Sequence, residues 1–135
     1  MTAIEQVAQA RAEAHKRAED AKKQRRKDWE AALPKARVAY LAVLNRGRLD
    51  KQLEAYKRAT ELRTYADAVT TRATTLASDQ RGPVLAWAEW IRAEADRHDP
   101  TRNGANLRFA EPAEIATWEL DKYMPQGFTA SGPPD

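Results

Sequence analysis

The sequence predicts an all-α fold: an elongated, coiled-coil-like helical hairpin with a short C-terminal helix and a mobile tail. Three observations predict it. Alanine, arginine and glutamate dominate the 135 residues, and all three favour helix. Leu49, Leu53, Tyr56, Leu62, Tyr65, Ala66, Val69, Ala73 and Leu76 recur at steps of three and four, which aligns them along one side of a helix. Charged residues make up 32% of the chain, yet it carries four tryptophans, more than a wholly disordered chain tends to hold. Together they describe helices around a modest core.

Taken in order, Thr2-Ala3-Ile4-Glu5 has capping-box spacing, so a helix is expected to start at Ala3. From Ala8 to Asp28 no large apolar residue appears, and Ala10, Ala14, Ala18 and Ala21 make a thin stripe. Glu13 to Arg17 and Glu19 to Lys23 are spaced for i,i+4 ion pairs. Trp29, Leu33, Tyr40, Leu41 and Leu44 restore bulk, and Pro34 is expected to kink or restart the helix. Asn45-Arg46-Gly47 reads as a helix end, with Gly47 free to turn left-handed. The long helix would then lie antiparallel to residues 29–44, burying Leu53, Leu62, Val69 and Leu76.

Ser78 to Pro83 is the next break, with Pro83 in the first turn of a new helix. Val84, Trp87, Ala88, Ile91 and Ala95 form its apolar face, which places Trp87 in the core and folds this helix over the far end of the long one. His98-Asp99-Pro100 stops it, Asn103-Gly104 signals a turn, and Pro112 can open a short helix to about Tyr123. Three prolines and two glycines after Met124 suggest a mobile end. The expected division is 1–47, a charged helical segment kinked at Pro34; 48–98, the long helix and the Trp-x-x-Trp helix; 99–124, a loop and short helix; and 125–135, a disordered tail.

Charge is unevenly placed. Residues 1–58 hold 15 Lys/Arg against 8 Asp/Glu, a net of +7, and residues 59–135 hold 8 against 12, a net of -4. Such halves suit separate partners or each other. Cysteine is absent, which removes disulfides and thiolate metal sites. No apolar run approaches the roughly 18 residues of a membrane span, and no secretory signal is visible, so no membrane partner and a cytoplasmic location are expected.

The strongest functional signal is the basic run Lys16, Arg17, Lys22, Lys23, Arg25, Arg26 and Lys27, seven cations in twelve positions that could track phosphates. The plainer reading is a solvated helix face, since Glu19 and Asp20 interrupt the run and Trp29 is the only neighbouring aromatic. Trp90 lies off the main face of its helix, as a cover for the C-terminal segment or a partner surface. His15 and His98 lack the neighbours of a metal site. Glu89, Glu94, Asp96 and Asp99 alternate with Arg92 and Arg97 and read as surface pairs rather than an acid-base dyad. No phosphate-cradling loop, nucleophile elbow or zinc-protease helix is present. No catalytic residue, cofactor, metal or small-molecule substrate is expected.

Trp87-x-x-Trp90, Ala95-Asp96-x-x-Asp99-Pro100, Pro112 before a short helix, Met124-Pro125-x-Gly127 and Gly132-Pro133 form a pattern over about the last 75 residues. It resembles the C-terminal region of uncharacterised bacterial proteins, actinobacterial in type, associated with mobile genetic elements. The tail departs from that pattern, which more usually ends in an aromatic-rich Trp-Ser-Pro-Tyr-Gly-Pro-like stretch. The resemblance transfers no activity and no catalytic residue; it implies an accessory protein acting beside nucleic acid. The leading expectation is a non-enzymatic helical interaction or scaffolding protein, with a protein partner or a second copy of itself. The alternative is a nucleic-acid-binding accessory protein that uses the basic run at 16–27.

Overall fold

The computed structural model describes residues 2–134. Helix α1 spans Ala3–Ala73 and helix α2 spans Ser78–His98. Three short 3-10 helices follow, at Gly104–Asn106, Pro112–Glu114 and Thr117–Tyr123. No strand forms among the described residues; Thr129 and Gly132 make one isolated bridge. The fold is all-α, as the helical spacing predicts.

The start of α1 follows the capping box. The Thr2 hydroxyl accepts from the Glu5 amide at 3.1 Å, and the Glu5 carboxylate accepts from the Thr2 amide at 3.2 Å. The expected helix end at Asn45-Arg46-Gly47 does not occur, and α1 also continues past Pro34. Glycine inside a helix costs about 1 kcal/mol relative to alanine. Three hydrogen bonds around Gly47 offset that cost. Asn45 Oδ1 accepts from the Ala110 amide at 2.7 Å, Arg48 donates to the Arg108 carbonyl at 3.1 Å, and Gln52 donates to the Asn106 carbonyl at 2.6 Å. The hairpin partner of the long helix is therefore α2, not residues 29–44.

The chain divides into two compact units, one of Met1–Val43 with Glu111–Asp135 and the other of Leu44–Ala110. In the first, the C-terminal residues cover α1. Ala36, Leu120, Met124 and Ala130 are buried together, with Trp29, Ala32, Leu33, Tyr40, Ile115, Tyr123 and Phe128 packed around them. The Trp29 indole N–H donates to the Thr129 carbonyl at 2.7 Å, and the Tyr40 hydroxyl donates to the Glu119 carboxylate. That bond, to an anion, raises the Tyr40 hydroxyl's pKa above its ordinary value. Tyr40 and Tyr123 meet edge to face, 5.4 Å between ring centres.

The expected mobile tail is thus corrected as far as Pro134. Asp121 accepts from the Ala130 amide at 2.8 Å, and Gly127, at φ +88°, supplies the left-handed turn that returns Phe128 and Ala130 to the core. Asp135 lies outside the described residues.

The second unit is an antiparallel hairpin. The Arg63 guanidinium lies 3.0 Å from Asp96 and 2.8 Å from Asp99, and Arg92 lies 3.2 Å from Asp67. That register brings Ala66 level with Ala95 and Ala73 level with Ala88. Ala59, Ala66 and Ala73 of this part of α1 and Ala88, Ile91 and Ala95 of α2 are buried. The large side chains expected in the core are displaced from it. Leu53 is 47% exposed, and Leu62, Val69 and Leu76 are half-buried. Alanines seven residues apart, 59, 66 and 73 on α1 and 88 and 95 on α2, form a narrow seam that lets the backbones approach. Between the helices, threonine hydroxyls close the end of α1: Thr74 donates to the Thr71 carbonyl at 2.7 Å and Thr75 to the Arg72 carbonyl at 2.9 Å. Helix α2 begins at Ser78, so Pro83 is its sixth residue and not in its first turn.

Two substitutions test this arrangement by thermal melting. A Cβ at Gly47 meets open space, so Gly47→Ala should stabilise the protein by about 0.5–1 kcal/mol; a left-handed turn there would make the same change destabilising. Ala66→Leu should cost about 1–3 kcal/mol by overfilling the seam, while Leu53→Ala should stay near the small effect of a surface change.

Candidate partner surfaces

The alanine seam divides the hairpin into two unlike flanks. One is ionic. Arg63 joins Asp96 and Asp99, Arg102 approaches Asp96 at 3.5 Å, and Arg92 joins Asp67 and Glu89 while donating to the Thr70 hydroxyl at 2.8 Å. Asp96 and Glu89 are surface pairs, as their spacing suggests, and so is Glu94, paired with Arg97 at 2.9 Å. Asp99 differs. It is only 7% exposed, a burial the sequence pattern does not signal. The Thr101 hydroxyl at 2.6 Å and the Thr101 amide at 2.9 Å, followed by Arg63, hold its carboxyl below the usual carboxylate range, against the opposing effect of burial. Paired bonds to Asp96 and Asp99 raise the Arg63 guanidinium in turn. A carboxylate so engaged is a structural clamp at the end of α2.

The other flank is aromatic. Leu62 and Tyr65 of α1 and Trp87, Trp90 and Ile91 of α2 line a groove of about 360 Å³, with Arg58 and Glu61 at its edge. Trp87 is 52% exposed, which corrects its expected core position, and Trp90 and Tyr65 are exposed beside it. The two indoles stack nearly parallel, 5.2 Å between centres and 6° between planes. Neither indole N–H, nor the Tyr65 hydroxyl, has a hydrogen-bond partner among the described residues. The cause lies in the seam: alanine at the contact positions leaves rings at the neighbouring positions no room between the helices. The signal was legible as Ala59, Ala66 and Ala73 at intervals of seven, and the larger residues of the same stripe obscured it.

The basic run lies on the helical stretch of α1 before Trp29, where every residue from 2 to 28 is exposed. Arg26 pairs with Glu30 at 3.5 Å, while Lys16, Arg17, Lys22, Lys23, Arg25 and Lys27 meet no carboxylate among the described residues. The Glu13–Arg17 and Glu19–Lys23 pairs expected from spacing do not form; Gln9 reaches Glu13 and Gln24 reaches Asp28 instead. Trp29, the aromatic nearest the run, is committed to the core of its unit. His15 and His98 are both exposed, and no three acidic or histidine side chains gather around a point among the described residues. Among the described residues no helix is long and apolar enough to cross a membrane.

The depressed Asp99 carboxyl carries a stability consequence. Its pKa is lower folded than unfolded, so the clamp stabilises the fold fully above about pH 4 and loses that contribution as pH falls below it. Asp99→Asn should melt below wild type at neutral pH, and the two melting curves should converge on acidification. A constant gap down to about pH 2 would remove the charge from this account.

No family model, curated protein or solved structure matches the chain.

Proposed function

We propose that the chain is a non-enzymatic helical interaction protein, able to pair with a partner protein or with its own copy, and that Tyr65, Trp87 and Trp90 form its main contact. The observation that carries this reading is the exposure of three clustered aromatic rings, each with an unengaged hydrogen-bond donor, on a hairpin whose seam is already filled. Tryptophan and tyrosine are the residues that most often dominate protein contacts, because they combine large apolar area with a polar tip. The engaged state of Asp96 and Asp99 supports a role without acid-base chemistry. A cytoplasmic accessory of a mobile element fits the resemblance of the C-terminal region.

The test combines sedimentation with co-purification from the host. Trp87→Ala with Trp90→Ala should abolish self-association and recovery of the native partner while leaving the melting temperature close to wild type. Association that survives the double substitution overturns the assignment of these rings.

The exposed cations of α1 favour a second reading, weak nucleic-acid binding through Lys16, Arg17, Lys22, Lys23, Arg25, Arg26 and Lys27. They surround the helix, so roughly three to five can meet one backbone, each steepening the loss of affinity by about 0.9 per tenfold rise in salt. Anisotropy with duplex and single-stranded probes should show binding at about 50 mM salt that largely disappears by about 200 mM. Tight binding at the higher salt, lost in Arg25→Ala with Arg26→Ala, would make this the principal function.

A further inference from the structure

The cover that the C-terminal segment lays over α1 is not flush. Arg37 of α1 and Pro112, Ala113, Ile115, Thr117 and Leu120 of the covering turns line a pocket of about 430 Å³. Small-molecule sites span roughly 300–1,000 Å³. Leu120 is buried and Ile115 half-buried, while Arg37 and Thr117 are exposed. The pocket therefore sets one permanent positive charge beside an apolar wall.

That charge is uncompensated. The Arg37 guanidinium has no hydrogen bond or ion pair among the described residues, and the Thr117 hydroxyl has no partner there either. Arg63, Arg92 and Arg97, by contrast, each meet a carboxylate. No carboxylate lines the pocket. The acidic side chains of the covering turns are held elsewhere. Glu111 and Glu114 close a capping box on each other's amides, Glu119 accepts from Tyr40, and Asp121 accepts from the Ala130 amide.

We infer that this pocket binds a small carboxylic acid with an apolar body. A guanidinium fork matches the two oxygens of a carboxylate, and the Thr117 hydroxyl can donate a further bond. Pro112, Ala113, Ile115 and Leu120 supply apolar surface for the rest of the molecule. Inorganic phosphate would satisfy Arg37 but leave that surface in water. A metal ion would find no carboxylate, and a nucleic-acid base no ring to stack on. The bound acid would tie α1 to its cover, so occupancy should raise the melting temperature. The inference uses none of the residues assigned to the aromatic flank or to the basic run.

The test titrates the isotope-labelled full chain with 3-phenylpropionate, its uncharged amide 3-phenylpropionamide, and inorganic phosphate, following backbone amides by heteronuclear NMR. The acid should shift the amides of Ile115, Thr117 and Leu120 saturably and raise the melting temperature. The amide and phosphate should each bind about tenfold more weakly or worse. Arg37→Gln should weaken the acid about tenfold, and Arg37→Lys less, because lysine keeps the charge and loses the fork. Arg46→Gln, which removes an exposed cation outside the pocket, should leave the affinity unchanged. Arg37 is exposed, so its variants should melt with wild type when no acid is present. Absence of a saturable shift, equal affinity for the acid and its amide, or an affinity indifferent to Arg37→Gln would each overturn the inference.

Discussion

Two helices approach only as closely as the side chains between them allow, and in the hairpin of this protein those side chains are alanines. Ala59, Ala66 and Ala73 on α1 meet the level of Ala88 and Ala95 on α2, and only Ile91 adds bulk among the buried positions. Much else follows from this narrow seam. Close backbones bring Arg63 within reach of Asp96 and Asp99, and Arg92 within reach of Asp67 and Thr70, which fixes the register. The same closeness leaves no space for Tyr65, Trp87 and Trp90, which collect outside on the opposite flank. Stability from such a seam is limited, because alanine buries little apolar area and a filled seam admits nothing larger.

The first unit solves a different problem. There the face of α1 from Trp29 to Tyr40 has large residues, and a chain segment with little regular hydrogen bonding of its own must cover them. Short 3-10 turns do this because specific bonds replace a helix ladder. Thr129 offers its carbonyl to Trp29, Glu119 accepts from Tyr40, and Asp121 holds the Ala130 amide. Residues 3–28 of α1 receive no such cover, and their helix rests on propensity, the capping box and a few side-chain bonds along the surface.

The functional reading comes from what these solutions leave exposed. Asp99 is clamped by Arg63 and Thr101, while the indoles of Trp87 and Trp90, the Tyr65 ring and Phe109 face solvent. The aromatic flank is lined by Leu62, Tyr65, Trp87, Trp90 and Ile91, with Arg58 and Glu61 at its edge.

Helical class, the capping box at Thr2 and the existence of α2 are written in local properties: propensity, period and caps act over a few residues and are readable wherever they occur. The place of Trp90 off the main face of its helix was legible from its angle, but whether it would be covered or exposed was not. Helix continuity through Gly47, the burial of Asp99 and the ordered path of Phe128 and Ala130 depended on partners distant in the chain, namely Ala110, Arg63 and Trp29. The choice of alanine over leucine for the seam was likewise a tertiary decision. Both residue types share the face of α1, and periodicity gives them equal standing. Only the second helix, by coming close enough to exclude the larger side chains, determined which of them lie inside and which remain exposed.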